Sequence, residues 1–398
     1  MGSMTPRKAG HRSAFSAMSA KSGGRAAYTH RAFDGLSHHR EKIYLTPSRS
    51  TRRFDLWGFL FFLAFSLCEV FAGDSGFVGN VEGSNTYTNP IVRAGADPWV
   101  IQRAGAYYFC QSLGRNVRVA KASRIQDIGK GPWVTVWTPT PGTATSSEIW
   151  APELHYLRGN WYVYVAADDG DNAHHRMVVL KGSSQDPQAP FELVGKIAGP
   201  TDRWAIDGTV LEMPGDRLYF IWSGWEGADN VAQNLYIAPM SDPTTLSGER
   251  LQISRPEYDW ELRGKPLINE GPEVLRHGTN LFIIYSASGS WSDDYCLGQL
   301  SWNGGDVMKR ESWVKKKTAV FSRTAAVFGP GHCSFVKSPD GTEDWIVYHS
   351  ARKSGSGWNR QVNMQKFGWD SSGAPDFGTP VAPGIPMATP SEGRIKAD

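Results

Sequence analysis

Leu267–Trp291 reads LINEGPEVLRHGTNLFIIYSASGSW: two carboxylates, Glu270 and Glu273, flank a Gly-Pro pair ahead of an apolar, β-rich run. Gly271 accepts backbone angles that other residues resist and Pro272 fixes its own φ, so Glu270 is expected on a stiff turn. A carboxyl held there projects past the end of a sheet, where a substrate reaches it. The run NLFIIYSASG follows a second turn at Gly278 and has the composition of a strand. The stretch is therefore one hairpin with an acid at its entrance.

The chain repeats this unit. Aromatic strand cores stand at Tyr107 (AYYFCQS), Trp161 (NWYVYVAAD), Leu218 (RLYFIWSG), Leu281 (NLFIIYSASG) and Asp344 (DWIVYHSA), at intervals of 54, 57, 63 and 63 residues. Each follows a turn carrying Gly105, Gly159, Gly215, Gly278 or Gly341, and a shorter strand precedes each turn, such as Pro98–Gln102, Glu153–Leu157 or Glu273–Arg276. Five hairpin units at this period predict an all-β fold, a five-bladed β-propeller with four-stranded blades around a central channel. A β-sandwich does not show so long a repeat. The units also run longer than WD40 repeats and lack their Trp-Asp endings, which argues against a protein-interaction propeller.

Composition agrees. The 398 residues include sixteen Trp, fourteen Tyr and 43 Gly with only 20% charged residues, the mixture of many short aromatic strands and tight turns. The net charge of +3 is uneven: residues 1–53 hold eleven Lys/Arg against two Asp/Glu, a local +9, which leaves −6 for residues 54–398. A mildly acidic body argues against nucleic acid as partner and suits a neutral substrate.

Residues 1–53 are rich in Ser, Arg, His, Ala and Gly without apolar period and are read as a disordered basic leader. Residues 54–72, FDLWGFLFFLAFSLCEVFA, have an apolar heart at Leu56–Leu67, short for a membrane span but right for a signal peptide. Val70 and Ala72 occupy the small-residue positions for cleavage before Gly73; the long leader leaves an uncleaved signal anchor as the alternative. Residues 73–88 are read as a linker and 89–398 as the propeller domain, whose Pro- and Gly-rich end after Asp370 closes the last blade. Secretion is the expected localisation, membrane tethering the alternative. With Cys68 in the signal, Cys110, Cys296 and Cys333 allow at most one internal disulfide, and their spacing matches no zinc motif.

A polar or acidic signature stands just before the first strand of every unit: Gly95-Ala96-Asp97-Pro98, Ile149-Trp150-Ala151-Pro152-Glu153, Ala205-Ile206-Asp207-Gly208, Asn269-Glu270-Gly271-Pro272 and Gly329-Pro330-Gly331-His332. Equivalent positions on successive blades converge at one end of the channel. Residues far apart in sequence thus share one funnel.

With GADPWV, EIWAPEL, WAIDGTVL, NEGPEVL and GPGHCSF in this order, the chain from about Asn89 to Gly384 resembles glycoside hydrolase family 43, five-bladed propeller enzymes acting on arabinans and xylans. The resemblance implies Asp97 as catalytic base, Asp207 as the residue that orients and tunes the acid, and Glu270 as catalytic acid. Inverting hydrolysis needs an ionised carboxylate to activate water and a protonated one to donate to the leaving oxygen. A third carboxylate near the acid raises its pKa by like-charge repulsion, the role expected of Asp207. Glu273 competes for the acid role, although strand alternation points it elsewhere.

The resemblance further implies Trp150 as an aromatic sugar platform, Arg360 as a ligand to sugar hydroxyls, and His332 as the axial histidine of a hydrated calcium ion in the channel. No cofactor is expected for the chemistry itself. The expected substrate is plant cell-wall polysaccharide, the expected state a monomer without protein partner. The branch resembled is that of α-L-arabinofuranosidases releasing terminal arabinofuranose from arabinan or arabinoxylan; the alternatives are a β-xylosidase or endo-arabinanase of the same fold, or a non-catalytic sugar-binding propeller.

Overall fold

The computed structural model describes residues 85–392. The basic leader, the apolar segment with Cys68 and the linker as far as residue 84 lie outside the described residues, as do residues 393–398.

Five antiparallel sheets follow one another along the chain. Blade one comprises Trp99–Arg103, Ala106–Ser112, Val117–Ala122 and Trp133–Trp137; blade two Ser147–Leu157, Asn160–Asp168, Arg176–Gly182 and Phe191–Lys196. Blade three is built on Ala205–Met213, Arg217–Trp225, Ala232–Asp242 and Leu251–Ser254, and blade four on Leu267–His277, Asn280–Ala287, Cys296–Trp302 and Trp313–Lys315. Blade five comprises Phe328–Lys337, Asp344–Ala351, Arg360–Trp369 and Pro375–Asp376. All five aromatic cores read from the sequence are second strands. A parallel contact, Ala232 opposite Leu267 and Gln233 opposite Ile268, joins blades three and four.

Those second strands explain the aromatic composition, because each is buried on both faces. In NWYVYVAAD, Tyr162, Tyr164 and Ala166 enter one cluster with Phe220 and Trp222 of blade three. The alternate residues Trp161, Val163, Val165 and Ala167 enter another with Tyr108 and Cys110 of blade one. This is the two-residue period of a strand, each face serving a different neighbour. Further clusters join blade three to four through Ile221 and Ile283, four to five through Ile284 and Tyr348, and five to one through Val347 and Phe109. The Val100 amide also donates to Ser334 Oγ of blade five at 3.1 Å.

The residues just ahead of Asn89 already belong to the fold. Thr86–Tyr87 pairs with Met387–Ala388, the Tyr87 hydroxyl donates to the Met364 carbonyl at 3.1 Å, and the Asn89 side chain both donates to and accepts from the Met364 backbone at 2.9 Å. Cys110, Cys296 and Cys333 are buried free thiols.

The signatures differ from the expected turns before strands in four of the five blades. Asp97 does precede its strand, but Trp150, Asp207, Glu270 and His332 lie inside theirs, at β-bulges. In blade four, Glu270 faces Ser286 and Glu273 faces Ile284, so three steps on the first strand match two on the second. The same mismatch spans Ile206 and Thr209 in blade three, which places Asp207-Gly208 inside its strand. A bulge takes a left-handed residue more cheaply than a continuous ladder does, and it re-aims the side chains around it. Each blade supplies such a residue: Asp97 (φ 48), Ala151 (φ 42), Asp207 (φ 54), Gly271 (φ 54) and His332 (φ 44).

Candidate active site

The bulges bring Asp97, Asp207, Glu270, Trp150, His332 and Arg360 to the wall of one cavity of about 580 Å³, together with Glu148, Trp204, Trp291 and Trp358. All six residues singled out in the sequence therefore meet, although they come from all five blades.

Asp97 is the ion-paired carboxylate of the group, its side chain 25% exposed toward the cavity. Its Oδ1 lies 3.2 Å from an Arg360 guanidinium nitrogen, 3.2 Å from His349 Nδ1 and 3.3 Å from His332 Nδ1. Desolvation alone would raise its pKa, but these neighbours outweigh it and hold the carboxyl far below the usual carboxylate range. Burial keeps both imidazoles neutral near pH 7, His349 down at about 3, so the permanent charge of Arg360 is the dependable part of this effect. His349 Nδ1 also lies 3.1 Å from the Asp97 amide, so this ring nitrogen faces both the backbone and the carboxyl of Asp97.

Asp207 and Glu270 form the opposite electrostatic case. Asp207, 3% exposed, accepts one hydrogen bond from the Gly271 amide at 3.0 Å. Burial first, then repulsion from Glu270 and Asp97, raises its pKa well above the ordinary value. Glu270, 7% exposed, is pushed up to about 7, first by burial and further by the charge of Asp97, against the hydrogen bond from Tyr295 and the attraction of Arg360. Like-charge repulsion within the pair opposes ionisation of both carboxylates at once.

One chain of hydrogen bonds fixes the Glu270 carboxyl. The His332 amide donates to Ser286 Oγ at 2.8 Å, Ser286 hydrogen-bonds to the Tyr295 hydroxyl, and Tyr295 donates to Glu270 Oε1 at 2.8 Å. An amide only donates, so it sets the direction of the whole run. Gly271 lets the parts approach: a Cβ there would stand 3.2 Å from the His332 ring.

Trp150 lies on a stacked His175, ring centroids 4.0 Å apart. His175 Nε2 faces the Glu148 carbonyl at 3.0 Å, and its Nδ1 lies 3.0 Å from Asp168 Oδ2. Among the described residues, Glu148, Asp168 and His175 are the one group of three potential metal donors whose atoms converge, all within 4.8 Å. His332 belongs to no such group. Its Nδ1 faces Asp97 and, at 4.0 Å, Asp207, whereas calcium takes six to eight oxygens. A cation beside His332 would draw most of its ligands from water.

Glu273 stands apart. It is buried, does not line the cavity, and its pKa is raised well above the ordinary value by burial. Burial first, and then the proximity of Glu273, likewise raises the pKa of Glu153 on blade two.

Sequence reasoning passed over Tyr295, Ser286 and His349, as well as Trp291 and Trp358. The signal for His349 was an imidazole inside the apolar strand DWIVYHSA. Tyr295 carried none, being one more tyrosine in an aromatic-rich chain.

The sequence pattern of Glycosyl hydrolases family 43 matches residues 87–375. An extracellular exo-α-(1→5)-L-arabinofuranosidase of Streptomyces avermitilis is 36% identical over 316 residues, covering 76% of this chain and 65% of that protein. Alpha-L-arabinofuranosidase 43 of Humicola insolens is 33% identical over 326 residues, covering 78% of this chain and 66% of its own. The chain thus spans just under two thirds of the length of these two relatives. The crystal structure of an α-L-arabinofuranosidase from Lactobacillus brevis superposes with a TM-score of 0.71 at 33% identity, covering 75% of this chain and 98% of that one.

Proposed function

Since the chain belongs to glycosyl hydrolase family 43, we propose that it is an inverting, exo-acting glycosidase that releases terminal α-L-arabinofuranose from arabinan or arabinoxylan side chains. The observation that carries this reading is the split in protonation inside one cavity: Asp97 held ionised by Arg360, and Glu270 raised to about 7.

Asp97 is the base. It accepts a proton from the water that attacks the anomeric carbon, and its depressed pKa keeps it ionised through the neutral range. Glu270 is the acid. With Oε1 occupied as acceptor by Tyr295, its proton resides on Oε2, free to reach the glycosidic oxygen as the bond breaks. Asp207, pinned by the amide of the residue after Glu270, orients the acid, and mutual repulsion of the two buried carboxylates favours keeping one proton on the pair. Trp150 offers a ring face to the bound sugar, and Arg360 combines the ion pair with Asp97 and sugar hydroxyl contacts. No step runs through a metal ion.

The name of the Streptomyces avermitilis relative, which includes the word extracellular, supports secretion, with residues 54–72 as the signal ahead of a catalytic domain that already includes Thr86–Tyr87. The substrate class follows the same relative.

The test is hydrolysis of 4-nitrophenyl α-L-arabinofuranoside and 4-nitrophenyl β-D-xyloside by the wild-type chain and Glu270→Gln. Arabinoside turnover that the variant loses supports the reading. A preference for the xyloside moves the specificity, and full activity of Glu270→Gln on an arabinobiose, whose sugar leaving group needs the proton, removes Glu270 from the acid role.

A further inference from the structure

Among the described residues, Trp358 is the one Trp, Tyr or Phe side chain left largely in solvent, 68% exposed. A single exposed apolar residue is ordinary on a protein surface. This one is held in place. Its Nε1 donates to Ser290 Oγ at 3.2 Å, and its loop is tied down by Ser354 Oγ and the Gly355 amide, which donate to the Asp293 carboxylate at 2.5 and 2.9 Å. Trp291 meets it edge-on, with ring centroids 6.2 Å apart and planes at 77°, and Trp291 in turn packs on Gly289, where a Cβ would come within 2.9 Å of its ring.

The two indoles make a right-angled corner on the wall of the cavity that holds Asp97, Asp207 and Glu270. Its position is fixed relative to the carboxylates, because the Ser290 carbonyl accepts from Arg360 at 2.7 Å and Arg360 pairs with Asp97. With its N–H already engaged, Trp358 presents a flat apolar face. The C–H face of a neutral sugar ring is the complement of such a surface, whereas an ionic ligand would leave its charge unmatched. The buried carboxylates hold the sugar whose bond is cut, so the solvent-exposed rim receives what lies beyond that bond.

We propose that Trp358 and Trp291 form the binding site for the sugar on the leaving-group side, taking a neutral pentose unit of an oligosaccharide chain. This rests on the glycosidase reading. The substrates that separate the two are a linear α-(1→5)-arabinotriose and methyl α-L-arabinofuranoside, whose leaving group has no ring. For the full chain, Trp358→Ala lowers the ratio of kcat/KM on the trisaccharide to that on the methyl glycoside by about tenfold, the scale of one aromatic contact. Trp358→Phe restores most of it, and trisaccharide affinity measured by calorimetry in the Glu270→Gln background falls by a similar factor on adding Trp358→Ala. An unchanged ratio, or equal losses on both substrates, overturns the platform. If Glu270→Gln is inactive and Trp358→Ala changes nothing, the platform alone falls; if Glu270→Gln turns over like wild type, the glycosidase assignment falls with it.

Discussion

Replacing Tyr295 with Phe removes one oxygen atom and with it the donor to Glu270 Oε1. That hydrogen bond favours the ionised carboxylate, so its loss raises the Glu270 pKa above about 7. A hydrogen bond to a charged group is worth roughly 1.5–3 kcal/mol and one to a neutral group roughly 1 kcal/mol. The protonated acid also loses its share, so the differential is about 1–1.5 kcal/mol, which is about one pKa unit. Glu270 acts protonated, and activity is lost as pH rises through its pKa; the alkaline limb of kcat/KM should therefore move up by about one unit. The proton also loses its placement on Oε2, so the plateau should drop, on the order of tenfold as one part of a general-acid contribution. The assay is kcat/KM against pH by detection of released arabinose, which avoids the titration of nitrophenol. Burial of the ring is unchanged, so a purely structural role predicts a lower plateau without a shift. A limb that stays in place, or moves toward acid, refutes the reasoning, and Ser286→Ala should give a smaller shift of the same sign.

Other outcomes follow from the same geometry. Arg360→Met takes the permanent charge from beside Asp97, so the Asp97 pKa rises and the acid limb of the kcat/KM profile moves to higher pH; an unmoved acid limb would mean that Arg360 does not set the Asp97 pKa. Gly271→Ala forces a Cβ at φ 54 against the His332 ring and should cost about 1–2 kcal/mol of stability, read as a lower denaturation midpoint, together with a loss of activity. Glu273→Gln should raise stability at neutral and alkaline pH. A carboxyl whose folded pKa is raised makes the folded state bind more protons than the unfolded one, so its penalty is absent below the unfolded pKa and grows as pH rises above it. A gain of about 1 kcal/mol corresponds to a Tm increase of about 2–4 °C, and a Tm difference independent of pH would contradict the raised pKa.

Much of the architecture was legible because propeller blades repeat and their second strands are buried on both faces. That burial forces unbroken aromatic and branched runs such as YFIW at Tyr219–Trp222 and FIIY at Phe282–Tyr285, and these recur at the blade period. The bulge at Glu270 reads as a turn because Gly-Pro serves both purposes; pairing on either side of the motif distinguishes them, and pairing is a long-range fact. For the same reason Glu270 and Glu273 were ambiguous, three residues apart in one strand, until the bulge sent one into the cavity and the other to a buried position near Glu153.

The sequence by itself determined the class of fold, the number of blades and the residue types at the channel mouth, since these rest on local propensity and on a period counted along the chain. Only the tertiary structure decided which charges meet. Asp97 and Arg360 are separated by most of the chain yet lie 3.2 Å apart, and Tyr295 reaches Glu270 across the blade-four hairpin. A pKa depends on desolvation and on charges within a few ångströms, quantities that exist only after distant blades have been packed around one channel.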